Sequence, residues 1–238
     1  MITFGGYVPN GLAELVSVQK HIKYLELNGY LKTTIQPFTK FPNTLTKLRI
    51  VGCFRIPWSL ISELSNLQEL SLSLINEIDD EYLIKFLEIN GNNLKELSLY
   101  KNIALNGSLN LKLGKFCPNL RSLRIVFPNG DIVPLKGIFN SCQQLECIEI
   151  LRSLFFLEER ELLEIVVDFS PKKIYKLSID LALCNIDPKT TFQWGLRSIL
   201  ERCANRVPCI PLSFIINSSS NLGIRLSKSN IKIIEEYI

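Results

Sequence analysis

The chain has little of what site chemistry usually needs. Histidine occurs once, at His21, in 238 residues. That single copy excludes histidine-rich metal sites and histidine-based triads on inventory alone. Charge is sparse too: 21% of residues are charged, 27 basic against 23 acidic, with no Lys/Arg-rich block. A surplus of +4 gives no support to nucleic-acid or membrane-surface binding. Long hydrophobic runs are absent as well. The greasiest stretch, IEILRSLFFLEERELLEIVV, carries a charge every few positions, so no transmembrane helix is expected. The opening MITFGGYVPNGLAEL lacks a basic region followed by an unbroken apolar one, and so does not read as a signal peptide. Seven cysteines at irregular spacing then read as free thiols in a reducing compartment, cytoplasmic or nuclear. Dinucleotide, Walker, nucleophile-elbow and zincin motifs are all missing. The carboxylate pairs Glu158-Glu159 and Glu235-Glu236 read as solvated helix residues. The expectation is a protein that is not an enzyme and uses no cofactor or metal.

What the chain does have is apolar residues, 47% of the total, with a mean hydropathy of +0.18. That excludes disorder and is enough for a sizeable core. A repeat organises it. The spacing L-x-x-L-x-L, with any aliphatic allowed, fits Ile22-Leu25-Leu27, Leu45-Leu48-Ile50, Leu67-Leu70-Leu72, Leu94-Leu97-Leu99, Leu120-Leu123-Ile125, Leu145-Ile148-Ile150 and Ile174-Leu177-Ile179, with a weaker eighth at Val207-Ile210-Leu212. In so apolar a chain one match is worth nothing, since about one window in ten fits by chance. The recurrence at a step near 26 residues carries the weight.

Helical spacing fills the intervals. Stripes run through Leu135, Ile138, Phe139 and Cys142, through Leu162, Ile165, Val166 and Phe169, and through Leu196, Ile199, Leu200 and Cys203. Leu109, Leu113, Phe116 and Cys117 form a near match, and Asp79-Asp80-Glu81 open another helix, where carboxylates favour its positive end. Strand, turn, helix and turn therefore repeat, and the helix returns the chain so that successive strands lie parallel. The expected fold is an α/β leucine-rich-repeat solenoid of about seven or eight repeats. A curved parallel sheet would form its concave face and helices its convex face. Residues 1–21 read as a lead-in or incomplete cap, 22–216 as the solenoid and 217–238 as a tail or cap.

Cys117, Cys142 and Cys203 each end a helix stretch shortly before the next strand. A small buried residue suits that spot. The metal reading of Cys142 and Cys147 fails on direction, because the first faces the core and the second lies at an outward strand position. His21 reads as a solvated edge residue, and Trp58 and Trp194 as packing residues that open helices.

On each strand the residues flanking the last two aliphatics point outward. The outward set includes Tyr24, Glu26, Lys47, Arg49, Glu69, Glu96, Tyr100, Arg124, Glu149, Lys176 and Asp180, with Ser71, Ser98, Ser122, Cys147, Leu151 and Ser178 among its smaller or less polar members. Signs alternate between neighbours, so Glu26 should meet Arg49, Lys47 should meet Glu69, and Arg124 should meet Glu149. Two readings stand side by side. One is a set of individually weak cross-strand ion pairs. The other is a polar protein-binding surface anchored by Tyr24, Tyr100, Arg49 and Arg124, residue types enriched at hot spots.

The runs SVQKHIKYLEL at 17–27, NLKELSL at 93–99 and CPNLRSLRI at 117–125, with the tail LSKSNIKIIEEY at 226–237, resemble the repeat region of fungal-type F-box/leucine-rich-repeat proteins, of the ribonuclease-inhibitor-like superfamily. The resemblance covers about residues 10–238. It implies a non-catalytic protein-interaction module, the substrate-recognition part of an F-box-type ubiquitin ligase receptor or a degenerate copy of one. The partner would be a protein target on the concave face. A Skp-type adaptor would bind only through an upstream F-box, for which residues 1–21 leave no room. The alternative is a stand-alone ribonuclease-inhibitor-like scaffold or inhibitor. Three positions after the last strand aliphatic, where the family favours Asn or Cys, only Cys53 and Asn102 match, so an asparagine ladder there would be incomplete.

Overall fold

The computed structural model describes residues 2–5, 11–28, 40–52, 58–73, 80–100, 107–127, 132–152, 159–180, 201 and 213–217. Nine strands run through them: β1 (Ile2–Gly5), β2 (Tyr24–Asn28), β3 (Lys47–Val51), β4 (Glu69–Ser73), β5 (Glu96–Tyr100), β6 (Ser122–Phe127), β7 (Cys147–Arg152), β8 (Lys176–Asp180) and β9 (Ser213–Asn217). Six α-helices alternate with them: α1 (Leu12–Ser17), α2 (Trp58–Ser62), α3 (Asp80–Asn90), α4 (Gly107–Phe116), α5 (Val133–Ser141) and α6 (Glu159–Phe169). The strands form one sheet in strict chain order, and every neighbouring pair is parallel.

The register follows from the aliphatic spacing. Leu25, Leu48, Leu70, Leu97, Leu123, Ile148 and Leu177 stand opposite one another from strand to strand. Each is buried, as are the leading aliphatics Ile22, Leu45, Leu67, Leu94, Leu120, Leu145 and Ile174. A one-residue slip would turn every one of them to the opposite face, which fixes the pairing strongly. A backbone device extends the ladder below each strand. The carbonyls of Lys23, Thr46, Gln68, Lys95, Arg121 and Glu146 each accept two successive amides from the next repeat.

Helix residues close the other side of that core. Leu83, Phe86 and Leu87 on α3, Leu109 and Leu113 on α4, and Leu135, Ile138 and Phe139 on α5 join the strand aliphatics in one continuous cluster. On α6, Leu162 and Val166 are buried, with Ile165 and Phe169 packed against them. Fully burying each such side chain is worth roughly 1.5–3 kcal/mol, so the core draws on every unit. Consecutive helices from α2 to α6 pack on one another. At Gly114 an added Cβ would lie 3.0 Å from the Gly137 carbonyl oxygen, so α4 and α5 meet there backbone to backbone.

Before most strands the amide of the leading aliphatic closes a turn onto the carbonyl three residues earlier, at Pro42, Gly91, Cys117, Cys142 and Pro171. The expectation of small buried residues at this point holds. Cys117 and Cys142 are fully buried, and the Cys142 thiol donates to the Cys117 carbonyl at 3.2 Å. Gly91 occupies the same point in the preceding repeat, where a Cβ would lie 2.6 Å from the Phe116 oxygen and 2.8 Å from Cys117 Sγ. Burial pushes the Cys142 thiol up to about 12 and raises Cys117 further still. Both are therefore inert as nucleophiles at neutral pH. Cys203 lies outside the described residues.

Two elements differ from the sequence expectation. The sheet begins at β1, inside the stretch expected as a lead-in, where Ile2 and Phe4 stand opposite Leu25 and Leu27. At the other end the described strand is Ser213–Asn217, with Phe214 and Ile216 opposite Leu177 and Ile179, downstream of the weak match at 207–212. Those residues, and the helix stretch expected at 196–203 apart from residue 201, lie outside the description, as do Cys53 and Asn102. The asparagine ladder found is elsewhere, on the residue before the leading aliphatic. Asn66 Nδ2 donates to the Asn43 carbonyl at 2.8 Å, Asn93 Nδ2 to Ser65 at 3.0 Å, and Asn119 Nδ2 to Asn92 at 2.9 Å. No described helix is long and apolar enough to cross a membrane.

Candidate functional site

Strand alternation leaves the face opposite the helices to the outward residues, and the register sorts them into rows. One row runs Glu26, Arg49, Ser71, Ser98, Arg124, Glu149, Ser178 across β2 to β8. Beside it runs Tyr24, Lys47, Glu69, Glu96, Ser122, Cys147, Lys176. All three expected ion pairs are present. Arg49 Nε lies 3.6 Å from Glu26 Oε1 and Arg124 Nη2 lies 2.6 Å from Glu149 Oε1, while Lys47 pairs with Glu69. Tyr24 donates its hydroxyl to Glu26, and the Lys47 ammonium stands 5.3 Å from the Tyr24 ring centroid. Tyr24 and Glu26 thus form a braced cluster with Lys47, Arg49 and Glu69 at the β2–β4 end.

The braces leave a signature in the titration of two groups. The hydrogen bond to Glu26, with burial and the Glu26 charge behind it, raises the Tyr24 pKa above the usual tyrosine value. The hydrogen bond to Glu69 raises Lys47 above the usual lysine value. Each shift favours the protonated form that makes the contact.

Between the arginines the face sinks. Ser71, Ser98 and Ser122 form the floor of a shallow depression of about 180 Å³, with Lys47 and Arg49 on one side and Arg124 on the other. The cause is side-chain length: Ser71 and Ser98 stand in register between Arg49 and Arg124, and Ser122 lies in the neighbouring row beside Glu96. Sequence reading looked for anchors and passed over these small residues. The signal was available, since aligning the outward positions puts Ser71 beside Ser98 between two arginines, with Ser122 one row away on β6.

Glu96 lies in the depression, exposed, with Glu69 on one side and Ser122 on the other in register. Among the described residues it forms no ion pair, and its charge adds to the raising of the Lys47 pKa. Lys176 is exposed and faces Cys147 across the strands. Tyr100 and Asp180 are placed by backbone alone, opposite Ser73 and Leu151, and their side chains lie outside the described residues. Toward β8 the face is not open. Leu151 and Ser178, both expected outward, are 5% and 4% exposed, and Leu151 is not part of the aliphatic core cluster.

Among the described residues no group of three or more His, Cys, Asp or Glu side chains could hold a metal ion. His21 is exposed. What the face offers is a set of oriented charges and hydroxyl groups around a shallow, polar floor. No family model matches the chain, and no curated protein matches it.

Proposed function

We propose that the chain is a leucine-rich-repeat solenoid acting as a protein-binding module, with its open strand face as the docking surface. The observation that carries this reading is the serine-floored depression at the middle of the face, bounded by Arg49 and Arg124. The strict strand order and the recurring aliphatic spacing support the solenoid, because each unit buries its strand residues only against its neighbours. Rows of polar side chains held by ion pairs are preorganised, which reduces the ordering cost of binding. The resemblance to F-box/leucine-rich-repeat proteins extends the reading to substrate recognition for a ubiquitin ligase. Adaptor binding in such a receptor belongs to the F-box, and the repeats hold the substrate.

The test is site-specific photocrosslinking in a eukaryotic lysate. A photoreactive residue at Ser98 should give discrete protein adducts, while one at the exposed helix residue Leu111 should give none. Adducts formed equally at both positions, or at neither, would remove the assignment of the strand face.

A further inference from the structure

We infer that the depression receives a cationic side chain, lysine or arginine, from the docked protein, and that Glu96 holds it. This assignment rests on the strand face being the docking surface and specifies the chemistry of what docks there. Carboxylates on the face meet cations across one register step. Glu26 meets Arg49, Glu69 meets Lys47, and Glu149 meets Arg124. Just below the strands Glu146 meets Arg121 in the same way. Glu96 departs from the pattern. Its register neighbours are Glu69 on β4 and Ser122 on β6, and among the described residues it forms no ion pair.

Unmatched charge and open space coincide there. Lys47, Arg49 and Arg124 border the depression, and each is already engaged by a glutamate. The carboxylate left over is Glu96. Its charge reaches Lys47, but Lys47 gives its hydrogen bond to Glu69. Like charges opposite one another on a sheet repel, and the Glu69 and Glu96 strands are adjacent, about 4.8 Å apart. The pattern would place the answering cation on β6. Ser122 stands there instead, and its short side chain leaves the space open.

A side chain from the partner can fill that position. Glu96 is exposed, so an ammonium or guanidinium arriving from outside reaches it without breaking an existing pair. Ser98 and Ser122 line the same depression, and their hydroxyl oxygens can accept the remaining donors of the cation. The added charge also relieves the repulsion between Glu69 and Glu96. An incoming carboxylate or phosphate would find the cations engaged and Glu96 repelling it.

The full chain, labelled with nitrogen-15, would be titrated with blocked tetrapeptides at constant ionic strength. One is acetyl-Gly-Lys-Lys-Gly-amide, and two others carry glutamine or glutamate in place of both lysines. The lysine peptide should give a saturable shift of the Glu96, Ser98 and Ser122 amides, and the other two should not. Glu96→Gln should weaken the response about fivefold or more, as for a lost charge-assisted contact at an exposed site. Ser122→Lys should weaken it as much, because that lysine would meet Glu96 across one register step as Lys47 meets Glu69. Glu146→Gln, which removes a carboxylate outside the depression, should leave the response unchanged. A shift no larger than that produced by sodium chloride, an equal response to the glutamine or glutamate peptide, or a response that survives Glu96→Gln or Ser122→Lys would overturn the inference. Protein crosslinks at Ser98 that persist when the titration fails would sink the cation assignment alone. Loss of both would sink the docking surface with it.

Discussion

Asn110 sits on α4 with no exposed surface, and among the described residues neither its amide nitrogen nor its amide oxygen finds a hydrogen-bond partner. Burying an amide without partners costs about 1–3 kcal/mol. Asn110→Leu, which keeps the branched side-chain shape and removes both polar atoms, should therefore raise the unfolding free energy by about 1 kcal/mol in a urea titration. Tyr24 allows a residue-scale test of the braced cluster. Its folded pKa is raised because the neutral hydroxyl donates to Glu26. The contact is intact below the ordinary tyrosine pKa and is lost as pH rises through the higher folded value. Ultraviolet difference titration against Tyr24→Phe should show this late ionisation. Glu26→Ala should return it toward the ordinary value. The three ion pairs were legible at this scale because the recurring aliphatic template sets the register, which fixes which residues meet across a parallel sheet. The Tyr24–Glu26 bond was not, since it joins two residues of one strand and depends on side-chain rotation. Asn110 was equally silent, because its position on a helix says nothing of what surrounds it.

At the scale of an element, the turn before β3, β5, β6, β7 and β8 is as regular as the strand itself. Its buried point is held by Cys117 and Cys142 in two repeats and by Gly91 in a third. Gly91 is dictated by crowding, because an added Cβ would meet the Phe116 carbonyl and the Cys117 sulfur inside 3 Å. Overpacking of that kind costs about 1–3 kcal/mol. Gly91→Ala should lower the denaturant midpoint accordingly, and the double change Gly91→Ala with Cys117→Ala should recover part of the loss by removing the sulfur. The helix stripes at 135–142 and 162–169 could be read directly, because long, strongly periodic segments place their own apolar face. The strands at either end were harder to read. Ile2–Gly5 carries only two apolar positions in register, and the weak match at 207–212 ends just upstream of the described β9. Among the described strands β1 and β9 have a neighbour on one side alone, so their sequences are under weaker demand for the full spacing.

For the whole molecule, stability is distributed along the chain, since each strand pairs only with its sequence neighbours. In such an array a lesion acts locally first. Leu97 is buried at the middle of the sheet, and Leu97→Ala should cost about 2–5 kcal/mol through the cavity it leaves. Hydrogen exchange should show the loss graded along the array, largest in β4 to β6 and smallest in β2 and β8. A uniform loss over all strands would mean that the sheet opens as a single unit and would argue against the solenoid.

The sequence alone determined the repeat, the aliphatic rows, the parallel order and the partners in the three ion pairs. Each follows from a template that recurs along the chain, and a parallel sheet brings equal positions of that template into contact. The tertiary structure decided where the outward face is hollow and where it is closed. Ser71 and Ser98, with Ser122 in the next row, make a depression only because the taller Arg49, Arg124 and Glu96 stand beside them in register, and Leu151 and Ser178 are buried although their alternation points them outward. Depth on a surface depends on what stands beside and above each residue, and a linear period does not carry that information.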